Sequence, residues 1–293
     1  MKIKLMENFR AIFYAPYYAI DTLGFYKSEG IDVELITSDT PGDAVSHLIN
    51  GTIDLTWGGP MRVMMAHDRD PGSSLVSFGE VVSRDPFFLI GNCEPFALAK
   101  VAQLRFATVS EVPTPWVCLQ HDLREIGINP ETIKRVSDRT MAKNYASLRK
   151  GELDVMQAFE PFVSMAEMDH AGKLLYAASS RGPTVYTAFI ATRVAIARQR
   201  EVFAAVTRAL AKMEHWLYAN SAEELAKAVA PFFPHVPNEI LVPSLQRYRD
   251  AGLWAHNPAM SKQGFNRLGL SFVSGGLLQR PPTYEICVEQ NFF

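Results

Sequence analysis

What this chain lacks narrows its function first. Its three cysteines, Cys93, Cys118 and Cys287, are far apart and odd in number. That excludes a disulfide framework, a CxxC pair and a cysteine zinc site. No apolar run approaches the roughly 20 residues that span a bilayer, so membrane insertion is not expected. An excess of charge is missing too: 29 Lys plus Arg against 31 Asp plus Glu leave a net charge of −2. Nothing therefore draws the chain to acidic surfaces, and its basic residues form no aromatic-interleaved patch for nucleic acid. There is no GxGxxG, Walker loop, GxSxG or HExxH, so no cofactor, metal or catalytic constellation is expected. His47 and His67 fall on predicted helices and read as surface or half-buried residues. The opening MKIKLMENFR alternates like a strand and has no basic n-region, apolar h-region or small-residue cleavage site. As the sequence stands it reads as cytoplasmic, or as periplasmic if a leader has been removed.

What is present is an ordinary globular composition, 48% hydrophobic and 20% charged over 293 residues, with room for two domains. One pattern occurs twice, as AVSHLINGTIDLTWGGP (44–60) and NYASLRKGELDVMQAFEP (144–161). Leu48, Gly51 and Asp54 answer to Leu148, Gly151 and Asp154. Each copy reads as a helix, a glycine stop, a short strand and a proline turn, which is half of a βαβ unit. Two such units suggest two α/β lobes facing each other.

Along the chain, residues 2–6 and 31–36 alternate as strands, with a helix between them that has Pro16 in its first turn. Asp39 or Thr40 is expected to cap the next helix, with Pro41 at its first position. Strand 53–57, the Gly58-Gly59-Pro60 turn and a helix through His67 follow. A second α/β series runs through strands at 105–109, 133–136 and 174–178. From Ala197 the pattern is helical: Val202, Val206, Leu210, Met213 and Leu217 share one face, and Ser221 with Glu224 forms a capping box. Apolar crossings near 86–92 and 184–192 predict a two-strand hinge. Lobe one would be 1–88 plus 193–293, and lobe two 89–192.

Open α/β sheets bind ligands beyond the carboxyl ends of their strands. That selects the loop with Asn8, Phe9 and Arg10, the turn Trp57, Gly58, Gly59 and Pro60 with Arg62, and the loop from Ser110 through Thr114, Pro115 and Trp116. Gly58 and Gly59 expose backbone N–H groups at a helix N-terminus, where an anion is favoured, or simply make a tight turn. Thr114 and Pro115 read as an N-cap and first-position pair. Phe9, Tyr14, Trp57, Trp116 and Tyr186 are stacking surfaces or core. Glu160, between Phe159 and Pro161, is solvated, bonded across the hinge, or aimed at a ligand N–H.

The stretches FYAPYYAIDTLGFYKSEGIDVEL, LINGTIDLTWGGP, LRFATVSEVPTPW and LRKGELDVMQAFEP resemble the thiamine-pyrimidine-synthase and alkanesulfonate-binding group of solute-binding proteins. The resemblance covers most of the chain. It implies a type II periplasmic-binding-protein fold: α/β, two-lobed, with a two-strand hinge and C-terminal helices on lobe one. It further implies a monomer whose cleft closes on a small heteroaromatic or anionic ligand for an ABC importer permease. The importers of this group carry an export signal, and its eukaryotic-type pyrimidine synthases a cysteine-rich iron motif. Neither appears here. Two alternatives stay open: an enzyme on the same fold (a decarboxylase, desulfinase or pyrimidine-forming protein) and a signal-less ligand sensor. Cys118, behind the Ser110 loop, reads as a buried small apolar residue.

Overall fold

The computed structural model describes residues 1–38 and 42–292. The expected cap at Asp39 or Thr40 and the following Pro41 lie outside the described residues. The strands are β1 (Lys2–Met6), β2 (Asp32–Ile36), β3 (Leu55–Gly58), β4 (Leu75–Val82), β5 (Phe88–Gly91), β6 (Phe106–Ala107), β7 (Arg135–Val136), β8 (Val155–Ala158), β9 (Lys173–Ala177) and β10 (Thr187–Thr192). They form two five-stranded mixed sheets, ordered β2-β1-β3-β10-β4 and β7-β6-β8-β5-β9. In the first, β1 pairs in parallel with β2 and β3, and β10 runs antiparallel between β3 and β4. The second repeats that plan, with β6 parallel to β7 and β8, and β5 antiparallel to β8 and β9.

The duplicated sequence pattern lies at corresponding places in the two sheets. Gly51 and Gly151 stop their helices at φ of 74° and 69°, a backbone that glycine adopts without steric cost. Asp54 Oδ2 accepts the N–H of Lys4 at 2.8 Å, and Asp154 Oδ2 accepts that of Arg105 at 2.7 Å. Each aspartate thus ties the start of its own strand to the neighbouring parallel strand.

The first-sheet helices are α1 (Ala15–Thr22), the one-turn α2 (Phe25–Ser28), α3 (Ala44–Ile49) and α4 (Met61–Arg69). The second sheet carries α5 (Thr114–Glu125), α6 (Met141–Arg149) and α7 (Phe162–Met168). After β10 come α8 (Arg193–Arg198), α9 (Arg200–Ala219), α10 (Ala222–Val229), α11 (Asn238–Asp250) and α12 (Lys262–Ser274). The apolar stripe of α9 from Val202 to Leu217 is buried, and the Ser221–Glu224 capping box opens α10. Helices α9 and α10 pack on α1, whereas α11 reaches α7 and α12 packs on α5.

The sheets are joined by segments 83–87 and 178–186, which bond to one another. Thr184 N–H donates to Ser83 O at 2.8 Å, and Ala178 N–H donates to Phe87 O at 3.0 Å. Arg181 of the second segment pairs with Asp85 of the first and with Asp122 of α5, whose Oδ1 accepts from Arg181 Nε at 3.0 Å. Val185 holds φ at 42°, an outlier for a β-branched residue, and it immediately precedes Tyr186.

Candidate functional site

Loops from both sheets enclose a cavity of about 540 Å³. The first-sheet wall begins with Asn8 and Phe9 after β1, where the chain leaves the sheet before turning into α1. Tyr14 follows at the head of that helix. At the end of β3, Gly59 turns the chain into α4, and one face of α4 supplies Met61, Arg62, Met65 and Arg69. The second-sheet wall is the segment from Glu111 to Thr114, and Phe87 and Tyr186 close the cavity from the two joining segments.

Arg62 is the main charge in this space. Its Nη2 donates to Asn8 Oδ1 at 3.0 Å. The guanidinium also lies against Gly42, where a Cβ would meet Nη1 at 2.8 Å and φ is +110°, a backbone that strains any residue with a side chain. Burial pushes the Arg62 pKa down, while the Tyr14 hydroxyl and the Asp43 carboxylate act to hold its charge. Burial pushes the Tyr14 hydroxyl up to about 12, against a hydrogen bond with Asn8 and the Arg62 charge. Tyr186 is buried, and its hydroxyl has no hydrogen-bond partner among the described residues. Burial, with Asp85 nearby, raises its pKa well above the ordinary value. Glu111 is already engaged: its oxygens accept the N–H groups of Ser110 at 3.0 Å and Met141 at 2.8 Å. The arrangement is a mainly apolar space with a desolvated cation, which suits a small anionic molecule with an apolar body.

Of the residues singled out in the sequence, the structure brings Asn8, Phe9, Tyr14 and Gly59 together with Arg62, Thr114 and Tyr186 in this wall. The others lie elsewhere. Arg10 turns to Glu7 at 2.7 Å and lines a smaller adjoining chamber. Trp57 is core, stacked on Tyr17 at 4.7 Å, because its strand directs it away from the cavity. Gly58 is covered by Arg62 and Asn8, and Pro60 begins α4 as its cap. Ser110 is exposed outside the wall, and the buried Pro115 gives its carbonyl to Gln157 Nε2 at 3.0 Å. Trp116 faces the opposite side of α5, with Arg135 at 4.4 Å over its ring.

Two local readings are corrected. Thr114 is no N-cap; α5 begins on it, and its hydroxyl reaches the Met61 sulfur at 3.2 Å, across the cavity. Glu160 does not line the cavity. It is fully buried, accepts from Ser164 N–H and Oγ at 3.0 and 2.9 Å, and pairs with Arg247 of α11 at 2.7 Å. Cys118 is fully buried outside the wall, and burial pushes its thiol up. Sequence reasoning missed Phe13, Met65 and Phe87, whereas Met61, Glu111 and Val112 fall within the stretches it selected. The spacing of 61, 62, 65 and 69 on one helical face was the signal available for α4.

Comparison with known proteins bears on this geometry. The family model described as NMT1/THI5 like matches residues 12–224. YtlA of Bacillus subtilis (strain 168), a candidate binding protein by its name, is 22% identical over 296 residues, covering 99% of this chain and 88% of YtlA. The periplasmic aliphatic sulphonate binding protein SsuA of Escherichia coli superposes with a TM-score of 0.77 at 15% identity, over 99% of this chain and 98% of that one. The alkanesulfonate-binding protein SsuA of Xanthomonas axonopodis pv. citri, bound to MOPS, gives 0.73 at 16% identity over 98% of both chains. The architecture is therefore the periplasmic-binding-protein fold.

Proposed function

The chain belongs to the NMT1/THI5-like family, and on that premise we propose that it is a small-molecule solute-binding protein. Its cavity takes an anionic compound, a sulfonate or carboxylate with an apolar or aromatic body, and delivers it to an ABC-type import permease. The observation that carries this reading is the desolvated Arg62 guanidinium in a mainly apolar cavity walled by Phe9, Phe13, Tyr14 and Phe87. A fixed cation recognises an acceptor-rich group without any proton transfer.

On the same reading, residues 1–88 plus 193–293 form one lobe and 89–192 the other, and the segments at 83–87 and 178–186 are the hinge on which they close. The protein works as a monomer, on the side of the membrane from which the permease takes its solute. The relatives described as periplasmic support that placement.

The test is to release small molecules from the natively purified protein, identify them by mass spectrometry, and titrate the strongest candidate back by calorimetry. Arg62→Ala should weaken that ligand by about 10- to 150-fold, the worth of a charge-assisted hydrogen bond of roughly 1.5–3 kcal/mol. The ligand should return chemically unchanged after long incubation. Turnover abolished by the same substitution would replace binding by catalysis. Full affinity in Arg62→Ala would remove the anion from the reading.

A further inference from the structure

Beside the main cavity is a second chamber of about 230 Å³, and Phe9, Glu111 and Val112 stand in the walls of both. Val109, Met141 and Phe159 complete it with hydrocarbon. The two charged residues at its margin are already engaged, Arg10 with Glu7 at 2.7 Å and Glu111 with the N–H groups of Ser110 and Met141. What faces the space is apolar surface with no polar group seeking a partner. An apolar recess of this kind gains by taking up an apolar group in place of water.

We propose that this chamber holds the apolar arm of the ligand whose anionic head lies at Arg62. The natural solute is then an anion bearing a short alkyl chain or a single ring. This rests on the anion reading of the main cavity. A cavity of roughly 150 Å³ accommodates benzene, so this chamber fits one ring with a methylene or two, and excludes fused polycyclic arms. Val112 and Phe9 stand in both walls, at the boundary that the joined head and arm would cross.

The experiment is a calorimetric series on the full chain, from methanesulfonate to octanesulfonate and from acetate to octanoate. It is paired with a thermal-shift titration of benzene, which needs no anionic head. Affinity should climb about fourfold per added methylene until the chamber is full, then level off. Val109→Phe should abolish that dependence on length, and Met141→Ala should move the plateau to longer chains. Benzene should raise the melting temperature of the wild-type protein and not of Val109→Phe. Anions that bind with no gain from length would overturn the arm while leaving the anion reading intact. No binding by any member of either series would overturn both. If Val109→Phe fails to fold, the wild-type benzene titration still decides: no stabilisation by benzene overturns the proposal.

Discussion

Replacing Glu80 with glutamine should change how stability depends on pH, and the structure fixes the sign. Glu80 stands in β4 opposite Ala188, where the pairing with β10 shifts register. Its carboxylate is buried. One oxygen accepts the Ser261 N–H at 2.7 Å, and the other has no partner among the described residues. Burial raises its pKa from 4.5 to about 7, the Ser261 hydrogen bond opposing. Glu214 of α9 is buried as well, with both oxygens unpartnered. Burial raises it well above its ordinary value, and the charge of Glu80 adds to the rise. Between pH 4.5 and about 7 the folded chain holds a proton on Glu80 that the unfolded chain releases. The stabilisation is complete below the unfolded value and is lost as pH rises through the folded one. The difference corresponds to about 3 kcal/mol. Urea unfolding followed by circular dichroism across that range should show the wild type falling relative to Glu80→Gln by about that amount. Glu80→Gln should match the wild type at the acid end and exceed it by up to about 3 kcal/mol at the alkaline end. Glu214, raised well above its ordinary value, adds its own decline over the same range and beyond, which should disappear in Glu214→Gln. Parallel profiles for wild type and Glu80→Gln would refute the reasoning.

Tyr186→Phe removes a buried hydroxyl that has no partner in the ligand-free protein, so it should raise the ligand-free melting temperature, by the equivalent of about 1–3 kcal/mol. Glu160→Ala removes the buried carboxylate that Ser164 and Arg247 share but leaves Arg247 paired with Glu167, so it should cost about 1–3 kcal/mol in urea unfolding, with the affinity of the folded fraction retained. Asp54→Ala and Asp154→Ala should each lose about 1–3 kcal/mol, since Asp54 also accepts from Gln199 Nε2 at 3.0 Å and Asp154 also pairs with Arg105. Arg105 lowers the Asp154 pKa below 3.8, so its share of stability should persist above that value and disappear as pH falls through the folded one.

The parts of this fold that were legible in the sequence are those set by local rules. The helix–glycine–strand pattern, the α9 stripe and the Ser221–Glu224 box each follow from backbone geometry or burial within a single element. The cavity was readable where a strand end supplied it, at Asn8, Phe9 and Gly59, and through Arg62 one turn into the next helix. Trp57 and Trp116 show where that rule stops: a loop can be placed from sequence, but the face onto which each side chain turns depends on neighbours far along the chain. Trp57 is directed to Tyr17 by its strand, and Trp116 faces Phe106 and Arg135 across α5. Glu160 looked like a ligand group because its partner, Arg247, lies in a helix contributed by the far end of the chain.

The position of β10 between β3 and β4 has a consequence for the order in which the protein takes shape during synthesis. The second sheet draws every strand from residues 88–177 and can close as soon as that stretch has left the ribosome. The first sheet cannot. Its opening strands emerge early, but the slot between β3 and β4 stays vacant until Thr187–Thr192 arrives. Until then two strand edges face an empty place, an invitation to mispairing. The middle of the chain is therefore finished before its beginning, and the N-terminal stretch through Val82, expressed alone, would present a sheet with its fourth position missing.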